Sequence, residues 1–370
     1  MIRSDVTGVG QWVCCIATLC IAALFSSDAR AQTAEPELSF GIGWSMMNIN
    51  DVEFTAISNF LVTEVLDHQS NEDGKLNGYK LNGELSGLLP HYRGSWLATL
   101  GFKGFYSRYE DQEQTRCVYT ASTDCIYVPL IDPDPTISGT PSSSGGFFAD
   151  WLTDVDRHVV YWGGAVEYRF SRDATQVQSL KDAPAPQAAP GPFQWLTGLS
   201  VRQLNQDMSL YSVDRGPTAD PVTLTDEIDT SYYGGYVGFS SKKEIGYGLR
   251  LLLSGETGLY YARTDYNGAY SATASLGDDS PVSQSISLSD DAPAFIGLLH
   301  LLLERDFGRT TVGLFGEAEW LSYVPKVLYN DTDLNGGVPF DIIGSQDGTA
   351  LGEGSAFSYT VGARLRIPTN

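Results

Sequence analysis

The segment Phe357-Ser358-Tyr359-Thr360-Val361-Gly362-Ala363-Arg364-Leu365-Arg366-Ile367 decides the fold. Apolar residues occupy every odd position, while Ser, Thr, Gly and Arg occupy the even ones. Period two is the repeat of a β-strand, whose successive side chains point to opposite faces. One face of this strand suits an apolar medium. The other carries two guanidinium groups, which a hydrophobic core would not accommodate without partners. Moving outward from this segment, the same alternation recurs near residues 38–46, 79–89, 96–106, 160–170, 193–211, 229–240, 246–261, 295–304 and 312–320. These nine segments and 357–367 predict ten amphipathic strands, an even number.

The composition narrows the class. The 370-residue chain carries a net charge of −22, which gives no electrostatic footprint for a phosphate backbone, so nucleic acid is excluded as a partner. Only the N-terminus holds an apolar run approaching the length of a membrane-spanning helix, which excludes a polytopic helical membrane protein. That run, residues 13–25, follows Arg3 and precedes Ala29-Arg30-Ala31, the pattern of a secretory signal with small-residue cleavage. A signal peptide is expected over 1–31 and the mature domain over 32–370. Cys14, Cys15 and Cys20 leave with the signal, and Cys117 and Cys125 are then expected to form a local disulfide in an outer loop over 109–154.

Connection lengths alternate as a membrane barrel requires, with short turns on one side and long loops on the other. The turns near 89–94, 241–245 and 305–308 are tight, whereas 49–75, 109–154, 212–228, 263–291 and 324–353 are long. The exception is a Pro-rich stretch on the short-turn side, residues 171–192, which is expected to be a periplasmic linker. A soluble sandwich also alternates. Against it stand Trp and Tyr near the ends of the apolar faces (Trp44, Trp96, Tyr106, Tyr168, Trp195, Trp320) and opposite faces made of Gly, Ser, Thr and charge. Signal, strands, alternating loops and the terminal strand together resemble a Gram-negative outer-membrane β-barrel protein. The resemblance is to the class, and the chain departs from it in ending Ile367-Pro368-Thr369-Asn370 without a terminal aromatic residue.

The expectation is thus an all-β, transmembrane, antiparallel up-and-down barrel of about ten strands with long extracellular loops. Residues 52–66 are ambiguous between helix and strand, and twelve strands would result if they and one further segment entered the wall. The class implies an outer-membrane location, lipid and lipopolysaccharide around the wall, and the barrel assembly machinery as a partner. No plug domain is expected ahead of the first strand.

The polar faces predict a lumen carrying Lys80, Lys103, Arg169, Arg202, Arg250, Arg364 and Arg366 against Glu84, Glu167, Glu256, Glu304, Glu317 and Glu319, with His300 near Glu304. Near-balance in a narrow barrel points to cross-lumen ion pairs. Arg364, Arg366, Glu317 and Glu319 are expected in one network. The excess negative charge then falls on the outward loops, as a solvated rim or a site for divalent cations. Asp331, Asp333 and Asn335 echo the start of a calcium loop without its closing Glu, and no other cofactor is expected. Ten-stranded barrels include the omptin proteases, whose rim Asp and His residues activate water. The corresponding pairs here would be Asp67-His68 and His158 with Asp154 or Asp156, which chance adjacency explains as easily, and an enzyme is not expected. Two functions remain: a narrow diffusion channel selected by its lumen charges, or a closed barrel displaying acidic loops for adhesion, surface protection or partner binding.

Overall fold

The computed structural model describes residues 36–49, 52–58, 65–72, 74–93, 96–118, 150–172, 193–214, 221–273, 281–328, 332–333, 343–344 and 349–369. The signal segment 1–31, Cys125 and most of the Pro-rich stretch lie outside these, as do the side chains of Cys117, Asp331, Asp333 and Asn335.

Ten strands close into an antiparallel barrel. In chain order the strands are β1 Glu37–Asn48, β2 Val52–Ser58, β3 Val65–Glu72, β4 Lys75–Arg93, β5 Trp96–Val118, β6 Asp150–Arg172, β7 Phe193–Asp214, β8 Pro221–Gly246, β9 Leu249–Thr273, β10 Pro281–Phe307, β11 Thr310–Leu328, β12 Thr332–Asp333, β13 Ile343–Gly344 and β14 Ala350–Pro368. Neighbours in sequence pair up-and-down around the wall, and β1 closes it against β14 with Glu37 opposite Pro368 and Asn48 opposite Phe357. Closure leaves no unpaired edge, the condition for a sheet to span lipid.

The wall has the expected ten strands, because residues 52–58 and 65–72, left ambiguous by their sequence, are strands of a separate hairpin. One sequence expectation needs correcting: the wall runs well into the segments read as loops. β5 and β6 stay paired to Val118 and Asp150, and β9 and β10 to Thr273 and Pro281, so much of 109–154 and 263–291 is sheet.

Where the wall crosses the membrane, its outer face is apolar. Phe40, Ile42 and Trp44 on β1, Leu199 and Val201 on β7, Leu299 and Leu301 on β10 and Val361 and Leu365 on β14 are exposed. Aromatic side chains bracket the band, with Trp44, Tyr79, Tyr233, Tyr261 and Trp320 above and Tyr168, Phe193, Trp195 and Phe307 below. An exposed band of this kind would aggregate in water and is solvated by lipid.

Past the upper aromatic ring the polarity inverts while the alternation continues. On β9, Tyr260, Ala262, Tyr266 and Tyr270 turn inward and are buried, and Arg263 and Asp265 turn outward. β8 follows suit, with Leu224 and Ile228 inside and Glu227 outside. Outside the bilayer the barrel is therefore built much like a soluble protein, with mainly apolar residues inside, besides the buried Arg157 and Asp226, and charge outside.

Candidate functional site: the lumen and the outer wall

At the short-turn end of the barrel the lumen holds a cavity of about 1140 Å³ whose lining includes Glu37, Ser39, Glu84, Lys103, Arg169, Ser200, Lys242, Glu256, His300, Arg364 and Arg366. Its charged side chains are positioned by strand phase: even residues on β4, β7, β9, β10 and β14 and odd residues on β5, β6 and β11 point inward. Lys80, Lys103, Arg169, Arg202, Arg250, Arg364 and Arg366 each meet a carboxylate from another strand. Glu84 accepts from both Arg169 and Arg364. Lys103 lies 2.5 Å from Glu256 and 3.0 Å from Glu167, and Tyr236 donates to Glu167 at 2.8 Å. Glu304 accepts from Arg250 at 3.0 Å and Arg366 at 2.5 Å. Deepest in the lumen, Glu319 accepts from Arg202 and lies 3.5 Å from Lys80, which also bridges to Glu317.

The pairs form separate clusters, which corrects the expectation of one network: Arg364 and Arg366 serve Glu84 and Glu304, while Glu317 and Glu319 serve Lys80 and Arg202. His300 does not pair with Glu304. Its ring stacks on Phe315 at 5.7 Å, with burial favouring the apolar contact.

The cavity ends at Lys80, Phe105, Arg202 and Glu319. Further along the same strands come Leu76, Tyr109, Leu204 and Leu321, all essentially without exposed surface. All ten wall strands contribute to this layer, including Met47 on β1, Tyr161 on β6, Tyr232 on β8, Tyr260 on β9, Ile296 on β10 and Ala356 on β14. Three of its tyrosine hydroxyls have partners at its edges. Tyr161 donates to Glu319 at 3.0 Å and accepts from Arg202 at 2.8 Å, Tyr232 donates to the Tyr323 carbonyl at 2.9 Å, and the Tyr109 and Ser45 hydroxyls lie 2.9 Å apart. The lower surface is bound by cations over rings: Lys80 Nζ sits 4.6 Å from the Phe105 centroid and the Arg202 guanidinium 5.5 Å from it. A hydrophobic constriction dewets and blocks ions.

This layer was not read from the sequence. Its signal is the inversion at Tyr260 and Ala262, where an inward face of Gly, Ser and Glu becomes aromatic and aliphatic.

Above the upper aromatic ring, the outer face of β6–β10 holds a second, shallower cavity of about 480 Å³ whose lining includes Asp156, His158, Asp207, Glu227, Asn267 and Ser287. Glu110, His158, Asp207 and Glu227 are directly opposed on successive strands. On the next rung, Asp229 accepts from Asn205 at 2.6 Å. Partial burial, then Glu227, Asp207 and Asp265, push the Asp229 carboxyl up to about 6. Asp207 is raised as well, by burial and Glu227. His158 Nδ1 lies 3.8 Å from Glu110, and both His158 and Asp156 face away from the lumen. The side chains of Asp67 and His68 lie outside the described residues. Among the described residues no cluster of three or more His, Cys, Asp or Glu is placed to hold a metal.

No known family model and no curated protein matches the sequence. Similar solved structures include the outer membrane protease OmpT from Escherichia coli, at 8% identity and TM-score 0.38 over 93% of this chain and 100% of that one. A Pseudomonas aeruginosa FadL homologue matches at 6% identity and TM-score 0.25 over 91% of each chain. The transport unit of the Escherichia coli autotransporter AIDA-I matches at 12% identity and TM-score 0.21 over 96% of this chain and 97% of that one. These are likenesses of fold alone. The closed wall, its lipid-facing band and its charged interior define the class: a ten-stranded transmembrane β-barrel of the bacterial outer membrane.

Proposed function

We propose that the barrel is a closed membrane pedestal, carrying an acidic outer wall beyond the bilayer for contact with surface partners or cations, and is not a constitutive pore. The observation that carries this reading is the buried layer to which all ten wall strands contribute. Ions crossing it would have to be desolvated among Tyr, Leu, Ile and Met side chains, and lumen charges already neutralised in pairs offer little to offset that. The channel reading keeps one observation, the charged cavity itself, and would need the aromatic layer to move aside.

Side-selective labelling separates the two. Ser200 lines the cavity below the layer, and Ser200→Cys, made with Cys117 and Cys125 replaced by Ser, presents a lone thiol there. A small membrane-impermeant maleimide should label it only when given access to the periplasmic side. Equally fast labelling of intact cells from outside would sink the closed-barrel reading.

A further inference from the structure

We propose that the periplasmic tips of the β8–β9 and β10–β11 hairpins form a docking surface for anionic phospholipid headgroups in the inner leaflet of the outer membrane. The β8–β9 turn is Gly246-Tyr247-Gly248, with φ of 99°, 54° and 73°. A tyrosine in the left-handed region is disfavoured, and Tyr247 is 94% exposed, so no protein contact compensates it. At the level of lipid headgroups the ring has a partner, because Tyr and Trp settle at the boundary between hydrocarbon and water. Phe307, also exposed, ends the lipid face of β10 beside it.

Charge in this sector is sorted by face. Lys243 and Arg305 are in phase with the lipid-facing Leu253 and Leu303, Arg309 occupies the β10–β11 turn, and all three are exposed. The Arg305 guanidinium sits 5.6 Å from the Phe307 ring, and none of the three cations forms an ion pair with a described residue. The carboxylates go the other way. Glu304 and Asp306 turn to Arg250, with Asp306 accepting at 2.6 Å, and Glu244 lines the cavity. A strip of unpaired cations with two exposed rings, continuous with the apolar band, complements an anionic lipid surface.

The test uses the full-length barrel in phosphatidylcholine vesicles containing a minority of phosphatidylglycerol, with folding confirmed by heat-modifiable gel mobility. Electron spin resonance of spin-labelled lipids gives the association of phosphatidylglycerol at the wall relative to phosphatidylcholine. We expect a preference of about threefold or more that falls towards one in high salt and in K243Q/R305Q/R309Q. Should the triple variant not fold, R309Q alone, in the exposed turn, should lower the preference partway. A ratio near one in the unmodified protein, or one unchanged in a folded variant, overturns the proposal and leaves these cations to a periplasmic protein or glycan.

Discussion

Glu319 gathers Arg202, Lys80 and the Tyr161 hydroxyl in a place with almost no exposed surface, so its loss should be felt across the lumen. Glu319→Gln leaves Arg202 without a buried counter-charge and should cost about 3 kcal/mol, read as a lower midpoint of urea unfolding in lipid vesicles. Arg108→Gln cuts a pair of similar geometry with Glu110, 2.5 Å apart and about half exposed, and should move the same midpoint by only about 0.5 kcal/mol or less. Equal effects would show that burial does not set the value of these pairs. Gly198 makes a comparable test with no charge involved. A Cβ there would stand 2.6 Å from the Tyr236 hydroxyl and 2.6 Å from the Val166 carbonyl, so Gly198→Ala must displace the ring that donates to Glu167. The expected loss is about 1–3 kcal/mol, and a neutral result in the same unfolding assay would mean that Tyr236 has room to move.

Each long strand crosses two environments, and β8 shows both. Tyr233 and Val237 face lipid, whereas Glu227 and Asp229, further out on the same face, meet water and one another's charge. Raising the Asp229 carboxyl from the ordinary 3.8 to about 6 means that the folded wall holds this proton more tightly than the unfolded chain. Stability should therefore rise as pH falls through about 6, levelling off below the unfolded value. Asp229→Asn should stabilise the outer wall near neutral pH, by about 1 kcal/mol or less after solvent screening, and flatten this pH dependence. Hydrogen exchange of the outer ends of β7–β9 would report it, and an unchanged profile in the variant would locate the titration elsewhere. The sequence is legible in the lower half of these strands because lipid imposes one rule, apolar outward, from Phe193 to Val201 or from Phe295 to Leu303. Above the aromatic ring the rule reverses, and polar outward residues such as Ser285, Ser287 and Ser289 read as loop while they are wall. Residues 52–58 and 65–72 show another limit: the local pattern over 52–66 fits helix and strand alike, and only the hydrogen-bonding partner tells hairpin from wall.

Taken whole, the described residues form three zones along the barrel axis: a charged cavity at the short-turn end, a buried aromatic layer, and an extended outer wall with an acidic exterior. Within the lipid-facing band, strand phase alone assigns Lys, Arg and Glu of the polar face to the lumen side. It does not assign their pairing, because cross-lumen neighbours depend on closure and stagger, which no single strand encodes. The proposed closure of the lumen ties this layer to function, and single-channel recording in a planar bilayer tests it most directly. Folded wild-type protein should give no discrete conductance steps, and a variant with Tyr161 and Tyr232 both cut to Ala should give them. Stable, well-resolved steps from the wild-type barrel would contradict the sealed lumen and return the charged cavity to the role of a pore.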